Sequence, residues 1–106
     1  MSQTPIPMKL FLVHCGFYDT DLLDGVYESH VNFIIPAESF EDARTKVKLE
    51  PDFQKKRMHV DGLQLMDAVK GYRITLSHDS MLEGQSLITS NRHRDLAPKK
   101  SAIPEA

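Results

Sequence analysis

Two short strings each place an imidazole and a carboxylate two residues apart: Glu28-Ser29-His30 and His59-Val60-Asp61. In an extended strand, side chains at that spacing share a face and lie roughly 6–7 Å apart along the chain, so each pair projects together. If the two strands are neighbours in suitable register, two imidazoles and two carboxylates meet. That donor set suits Zn²⁺ or another divalent ion. It equally suits a division into general base and general acid, because a carboxylate partner orients a histidine and raises its pKa. The competing account is that these residues are only the wet face of an amphipathic sheet, where exposed ion pairs contribute little. His14 shares its strand face with Leu10 and Leu12, and either joins the cluster or closes its strand end; the second is expected. The candidate ligand-binding or polar cluster is therefore Glu28, His30, His59, Asp61 and His14, with no catalytic role, metal or cofactor assigned.

Other chemically suggestive strings fail on detail. Cys15 has His14 as its sequence neighbour, which points to the opposite strand face and cannot serve as its base, so a buried structural thiol is expected. The acidic run from Asp19 to Gly25 has Leu23 in the fifth position of a calcium loop and Gly25 seventh instead of sixth. His93-Arg94-Asp95-Leu96 matches a kinase catalytic-loop string, but the glycine-rich loop, strand lysine and Asp-Phe-Gly that a kinase needs are absent.

The elements that must position the cluster follow from apolar periodicity. Met8 to Cys15 is dense in β-favouring apolar residues up to Gly16, which predicts a central strand buried on both faces. Phe17 to Tyr27 is a loop or a short helix. The next strand points Val31, Phe33 and Ile35 to one side and Glu28, His30 and Asn32 to the other, and Pro36 ends it. Ser39 with Asp42 three residues on forms a capping-box pattern opening a helix whose buried stripe is Phe40, Ala43 and Val47. Lys46 and Lys48 suit its C-terminal end, and Pro51 prevents continuation.

From Met58 the chain is again extended, with Met58 and Val60 opposite His59 and Asp61. Beyond Gly62, Leu63 and Leu65 fall in the parity of His59, which would turn the apolar face outward; a bulge or bend at Gly62 restores the register. Val69-Lys70-Gly71 predicts a hairpin loop, followed by a strand with Tyr72, Ile74 and Leu76 on one side. The expected fold is α+β: a mainly antiparallel sheet of about four strands, in the order strand-strand-helix-strand-strand, with one helix on one face. A single domain over residues 8–78 precedes a C-terminal extension over 79–106, where Leu87 and Ile88 offer a short edge strand before a tail.

Composition bounds the partners. The 106 residues suit one core, and their apolar and charged fractions of 41% and 26% are ordinary globular values. Thirteen basic against fifteen acidic residues leave a formal charge of -2. That supplies no positive field for nucleic acid, and Lys55-Lys56-Arg57 reads as a solvated loop. A lone cysteine excludes an intrachain disulfide, and the start of the chain suits neither a signal peptide nor a membrane span. A cytoplasmic protein without nucleic-acid or membrane partners is expected.

Lys9-Leu10-Phe11-Leu12-Val13-His14, Tyr27-Glu28-Ser29-His30, Ala37-Glu38-Ser39-Phe40, Met58-His59-Val60-Asp61-Gly62 and Gly71-Tyr72-Arg73, in that order, resemble the DUF1543 family of small bacterial proteins. The resemblance spans Met8 to Leu76. It implies a bacterial protein of unassigned function whose domain occurs in one or two copies per chain, and it brings no catalytic residue. A domain that occurs duplicated often pairs with itself, so self-association as a homodimer is implied. The expected function is a binding or interaction domain, a homodimer using its polar sheet face, with a small ligand as a further partner. The alternative is a small metal-assisted or acid–base hydrolase-like enzyme using Glu28, His30, His59 and Asp61.

Overall fold

A computed structural model describes residues 6–96. Its centre is β1 (Lys9–Tyr18), flanked antiparallel by β2 (Glu28–Ala37) and β3 (His59–Leu65), in the spatial order β2-β1-β3. Between β2 and β3 the chain forms α1 (Phe40–Val47) and the short α2 (Pro51–Lys55). A separate two-stranded hairpin, β4 (Ala68–Val69) with β5 (Tyr72–Arg73), follows β3. The class is α+β.

The core lies on the helix side of the sheet. Phe11, Val13, Cys15 and Phe17 alternate along β1 and are buried with Ile35 and Ala37 of β2, Ala43 and Val47 of α1, and Phe53 and Met58. Period-two alternation in β1 therefore separates a dry face from an open one carrying Leu10, Leu12, His14 and Gly16. This corrects the expectation of a strand buried on both faces. β1 is central as expected, but helices cover only one side, and Leu10 and Leu12 are half-buried on the other.

Helix α1 starts as its residues dictate. Ser39 Oγ accepts from the Asp42 backbone N–H at 3.0 Å, and Asp42 Oδ2 accepts from the Glu38 N–H at 2.9 Å, so two otherwise orphaned donors are satisfied. Phe40, though 46% exposed, turns its ring edge-on to Phe11 at 5.2 Å. Pro51, expected only to stop α1, also opens α2 at the position where its missing N–H costs nothing. Helix α2 replaces part of the expected solvated loop. It ends in a Schellman turn: the Met58 N–H donates to Phe53 O (3.0 Å), the Arg57 N–H to Gln54 O (3.3 Å), and Arg57 sits at φ 51°. Buried Met58 and Phe53 close this turn, which delivers His59 into β3.

Three more expectations are revised. β2 runs through Pro36, tolerated because β2 is an edge strand whose partnerless side faces away from β1. The fourth strand does not join the main sheet. Lys70 and Gly71 both adopt positive φ (50° and 90°), the geometry of a two-residue turn that matches strand twist, so the segment pairs locally with Ala68–Val69 and Tyr72 stays exposed. Residues 87 and 88 form no strand, and the distal part of the expected tail lies outside the described residues.

Candidate functional site

The irregularity expected at Gly62 is a bulge one residue earlier, and it builds the site. Cys15 pairs with Val60 but His14 pairs with Gly62, so Asp61 is the extra residue. Past the bulge, Leu63 and Leu65 lie opposite Val13 and Phe11 and pack against the core. The same insertion leaves Asp61 free of the ladder and aimed over the open face, a common use of bulges beside functional sites.

Gly16 pairs with His30 on one side and His59 on the other, so the two histidines form one row across three strands with a side-chain-free floor between them. Over that floor the candidates converge. His59 Nε2 lies 2.7 Å from Glu28 Oε2 and 3.2 Å from Asp61 Oδ1. His30 Nε2 lies 3.5 Å from Glu28 Oε1 and 3.4 Å from Asp61 Oδ2. A Cβ on residue 16 would stand 2.6 Å from Glu28 Oε2 and 2.7 Å from His59 Nε2. Gly16 is thus required by the cluster. In the sequence it reads as the end of a strand, although a glycine inside an apolar strand is itself a signal of close approach.

His14 joins the group instead of merely closing a strand end. Its ring stacks on that of His30, 4.9 Å between centroids and 10° between planes. Its Nδ1 is 2.8 Å from Asn32 Oδ1 of the cross-strand partner. Asn32, absent from the candidate set, orients it. Because an amide oxygen only accepts, Nδ1 is the donor in this contact, and in a neutral ring that tautomer leaves the lone pair on Nε2.

All five candidates therefore share the open face, and the cluster's four ion-paired side chains remain 30–45% exposed. Two triads have one ligating atom per residue within 4.8 Å of one another: Glu28, His59 and Asp61, and His14, His30 and Asp61. Cys15 lies on the dry side with no exposed surface; burial first, and the Asp61 charge second, push its thiol pKa up. It is a core residue, unsuited to nucleophilic work. Asp95 of the kinase-like string pairs with Arg92, just outside it, at 2.7 Å, which accounts locally for its charge.

Beside the cluster, a cleft of about 670 Å³ is lined by Phe17, Tyr18, Asp21, Lys55, Lys56 and Arg57 among others. The Tyr18 ring stands 6.3 Å from that of His59.

No family model, no curated protein and no solved structure matches the chain. Fold and site together define an α+β domain whose three-stranded sheet carries an imidazole–carboxylate cluster on its open face. Among the described residues, no helix is long and apolar enough to cross a membrane.

Proposed function

We propose that this chain is a binding domain for a divalent cation, held on the open sheet face by Glu28, His59 and Asp61. The observation that carries this is the position of His59 Nε2 against two carboxylates at once, 2.7 Å from Glu28 and 3.2 Å from Asp61. A ring N–H is a single directional donor and cannot serve both. A cation between the three atoms can. Ligands of a tetrahedral zinc stand about 3.3 Å from one another, given bonds of 2.0–2.2 Å; the 3.2 Å separation already matches, and the 2.7 Å one, a hydrogen-bond length, would widen on binding. The three side chains are 30–45% exposed, so a small ligand could reach an ion held there.

The test is zinc titration of tag-free protein by calorimetry. Binding by the wild type, and its loss in His59→Ala and Glu28→Gln with the circular dichroism spectrum retained, is the expected result; no heat of binding sinks the reading.

A second copy of the chain is the proposed macromolecular partner. Leu10, Leu12, Ile34 and Pro36 share the open face with the cluster, and Ile34 is 58% exposed, so an isologous pair would cover apolar surface beside the site. Membership of the DUF1543 family, whose strings the chain resembles, fits such pairing. A light-scattering mass of one chain at every concentration would count against it. The free thiol of Cys15 fits a reducing compartment such as the cytoplasm.

Metal-assisted hydrolysis is the second reading, favoured by the cleft that reaches Tyr18, whose ring stands 6.3 Å from His59, and that Lys55, Lys56 and Arg57 line together with Asp19 and Asp21. In that case Lys and Arg would hold an anionic substrate while the ion polarised it. Hydrolysis of an aryl phosphate or aryl ester that depends on added zinc and on His59 is the discriminating assay.

A further inference from the structure

Resting on the cation-binding reading, we infer that the open face holds two divalent ions, bridged by Asp61, with Glu28 and His59 completing the first site and His30 and His14 the second. The argument is the division of labour among the carboxylate oxygens. Glu28 presents Oε2 to His59 and Oε1 to His30. Asp61 presents Oδ1 to His59 and Oδ2 to His30. Each carboxylate thus turns one oxygen to each histidine, and each histidine nitrogen meets one oxygen from each carboxylate.

One ion does not account for this pattern. The five residues do not bring a ligating atom each into a single mutually close group; they separate into two triads, Glu28–His59–Asp61 and His14–His30–Asp61, that share only Asp61. The triad geometry puts one ion near His59 and another near His30, with Asp61 spanning them and the second oxygen of Glu28 3.5 Å from His30 Nε2. Paired metal ions in proteins stand roughly 3.5–4 Å apart, a span that a bridging carboxylate accommodates.

The second site has its own orienting shell. The Nδ1–H of His14 faces Asn32 Oδ1, the tautomer that leaves Nε2 available as a ligand. Parallel stacking at 4.9 Å sets the His14 ring alongside that of His30, so both imidazoles approach Asp61 from the β1–β2 side. Gly16 is required for the same reason at both sites, since a side chain there would occupy the space over which the carboxylates reach. Such a centre takes ligands with two anionic oxygens, because a phosphate or carboxylate can span both ions at their solvent-facing positions.

Native mass spectrometry of the tag-free chain with zinc counts the ions, and electron paramagnetic resonance of the manganese-loaded chain reports whether they are neighbours. Two ions per chain with an exchange-coupled manganese signal are expected. His14→Ala should weaken the second ion at least tenfold and leave the first, and Asn32→Ala should act in the same direction through tautomer control, by about 10–100-fold. His14 and Asn32 are exposed, so neither substitution threatens the core. A single ion unaffected by His14→Ala overturns the two-ion centre while leaving the cation-binding reading intact. Two ions without exchange coupling also overturn it. No bound ion at all overturns both.

Discussion

His59 and Glu28 belong to the two outer strands of the sheet, yet His59 Nε2 and Glu28 Oε2 stand 2.7 Å apart, directly above the backbone of Gly16 in the strand between them. Neighbouring strands are about 4.8 Å apart, so the side chains of alternate strands ordinarily meet only over an intervening side chain. Here that side chain is a hydrogen. The contact is the structural signature of the site, and it gives the first prediction. Gly16→Ala would put a Cβ 2.6 Å from Glu28 Oε2, and the flexible ends of Glu28 and His59 would move apart to admit it. Zinc affinity should fall at least tenfold while the far-UV circular dichroism spectrum is unchanged. Undiminished affinity in this variant would show that the carboxylate and imidazole do not act over that floor.

The bulge at Asp61 links binding to folding. Deleting residue 61 removes the extra residue and shifts Leu63 and Leu65 to the open face, or else forces His59 into the core. Exposing two half-buried leucines should cost roughly 2–3 kcal/mol. Asp61→Asn keeps the residue count and should leave stability nearly unchanged while weakening cation binding. Urea midpoints of the two variants separate these effects: a large loss for the deletion and little for the substitution.

Arg57 occupies the left-handed C′ position of a Schellman turn, at φ 51°, where glycine carries no steric penalty. Arg57→Gly should therefore stabilise the protein, by up to about 1 kcal/mol, since left-handed backbone costs a non-glycine residue on that scale. Thermal or urea denaturation checks the sign. A destabilised variant would mean that the Arg57 side chain contributes more than its backbone costs.

The Asp42 carboxyl is held below the usual carboxylate range, first by the hydrogen bond from the Glu38 N–H and then by Lys46, 3.0 Å away. A pKa lower in the folded than in the unfolded state makes the charged form stabilising. That contribution is present above the unfolded carboxyl pKa of about 3.9 and is lost as pH falls through the lower folded value. Asp42→Asn should be less stable than the wild type at neutral pH, and the difference should shrink on acidification through this window. A difference that stays constant with pH would assign the effect to helix propensity.

Much of this was legible because it follows from period and parity. Val31, Phe33 and Ile35 against Glu28, His30 and Asn32 define the faces of β2, and the parity conflict between His59 and Leu63 by itself requires a bulge. Ser39 and Asp42 gave the helix start. Strand order, which brings His30 and His59 into one row, depends on pairings between residues far apart in the chain and leaves no local trace. Gly16 was overlooked because its role is defined by neighbours on both sides of it, and Asn32 because its partner His14 lies on another strand. The hairpin misled for the opposite reason. Tyr72, Ile74 and Leu76 alternate as a sheet strand would, but the turn at Lys70-Gly71 pairs Tyr72 and Arg73 locally with Ala68–Val69, and the ladder stops there.

The most direct test of cation binding is an anomalous difference map, recorded at the zinc absorption edge, from crystals of the tag-free chain grown with zinc. Density is expected over Gly16, bonded to His59 Nε2 and to oxygens of Glu28 and Asp61. Density only at an exposed pair such as His78 and Glu83, or none at all, would contradict the assignment of this face as a metal site.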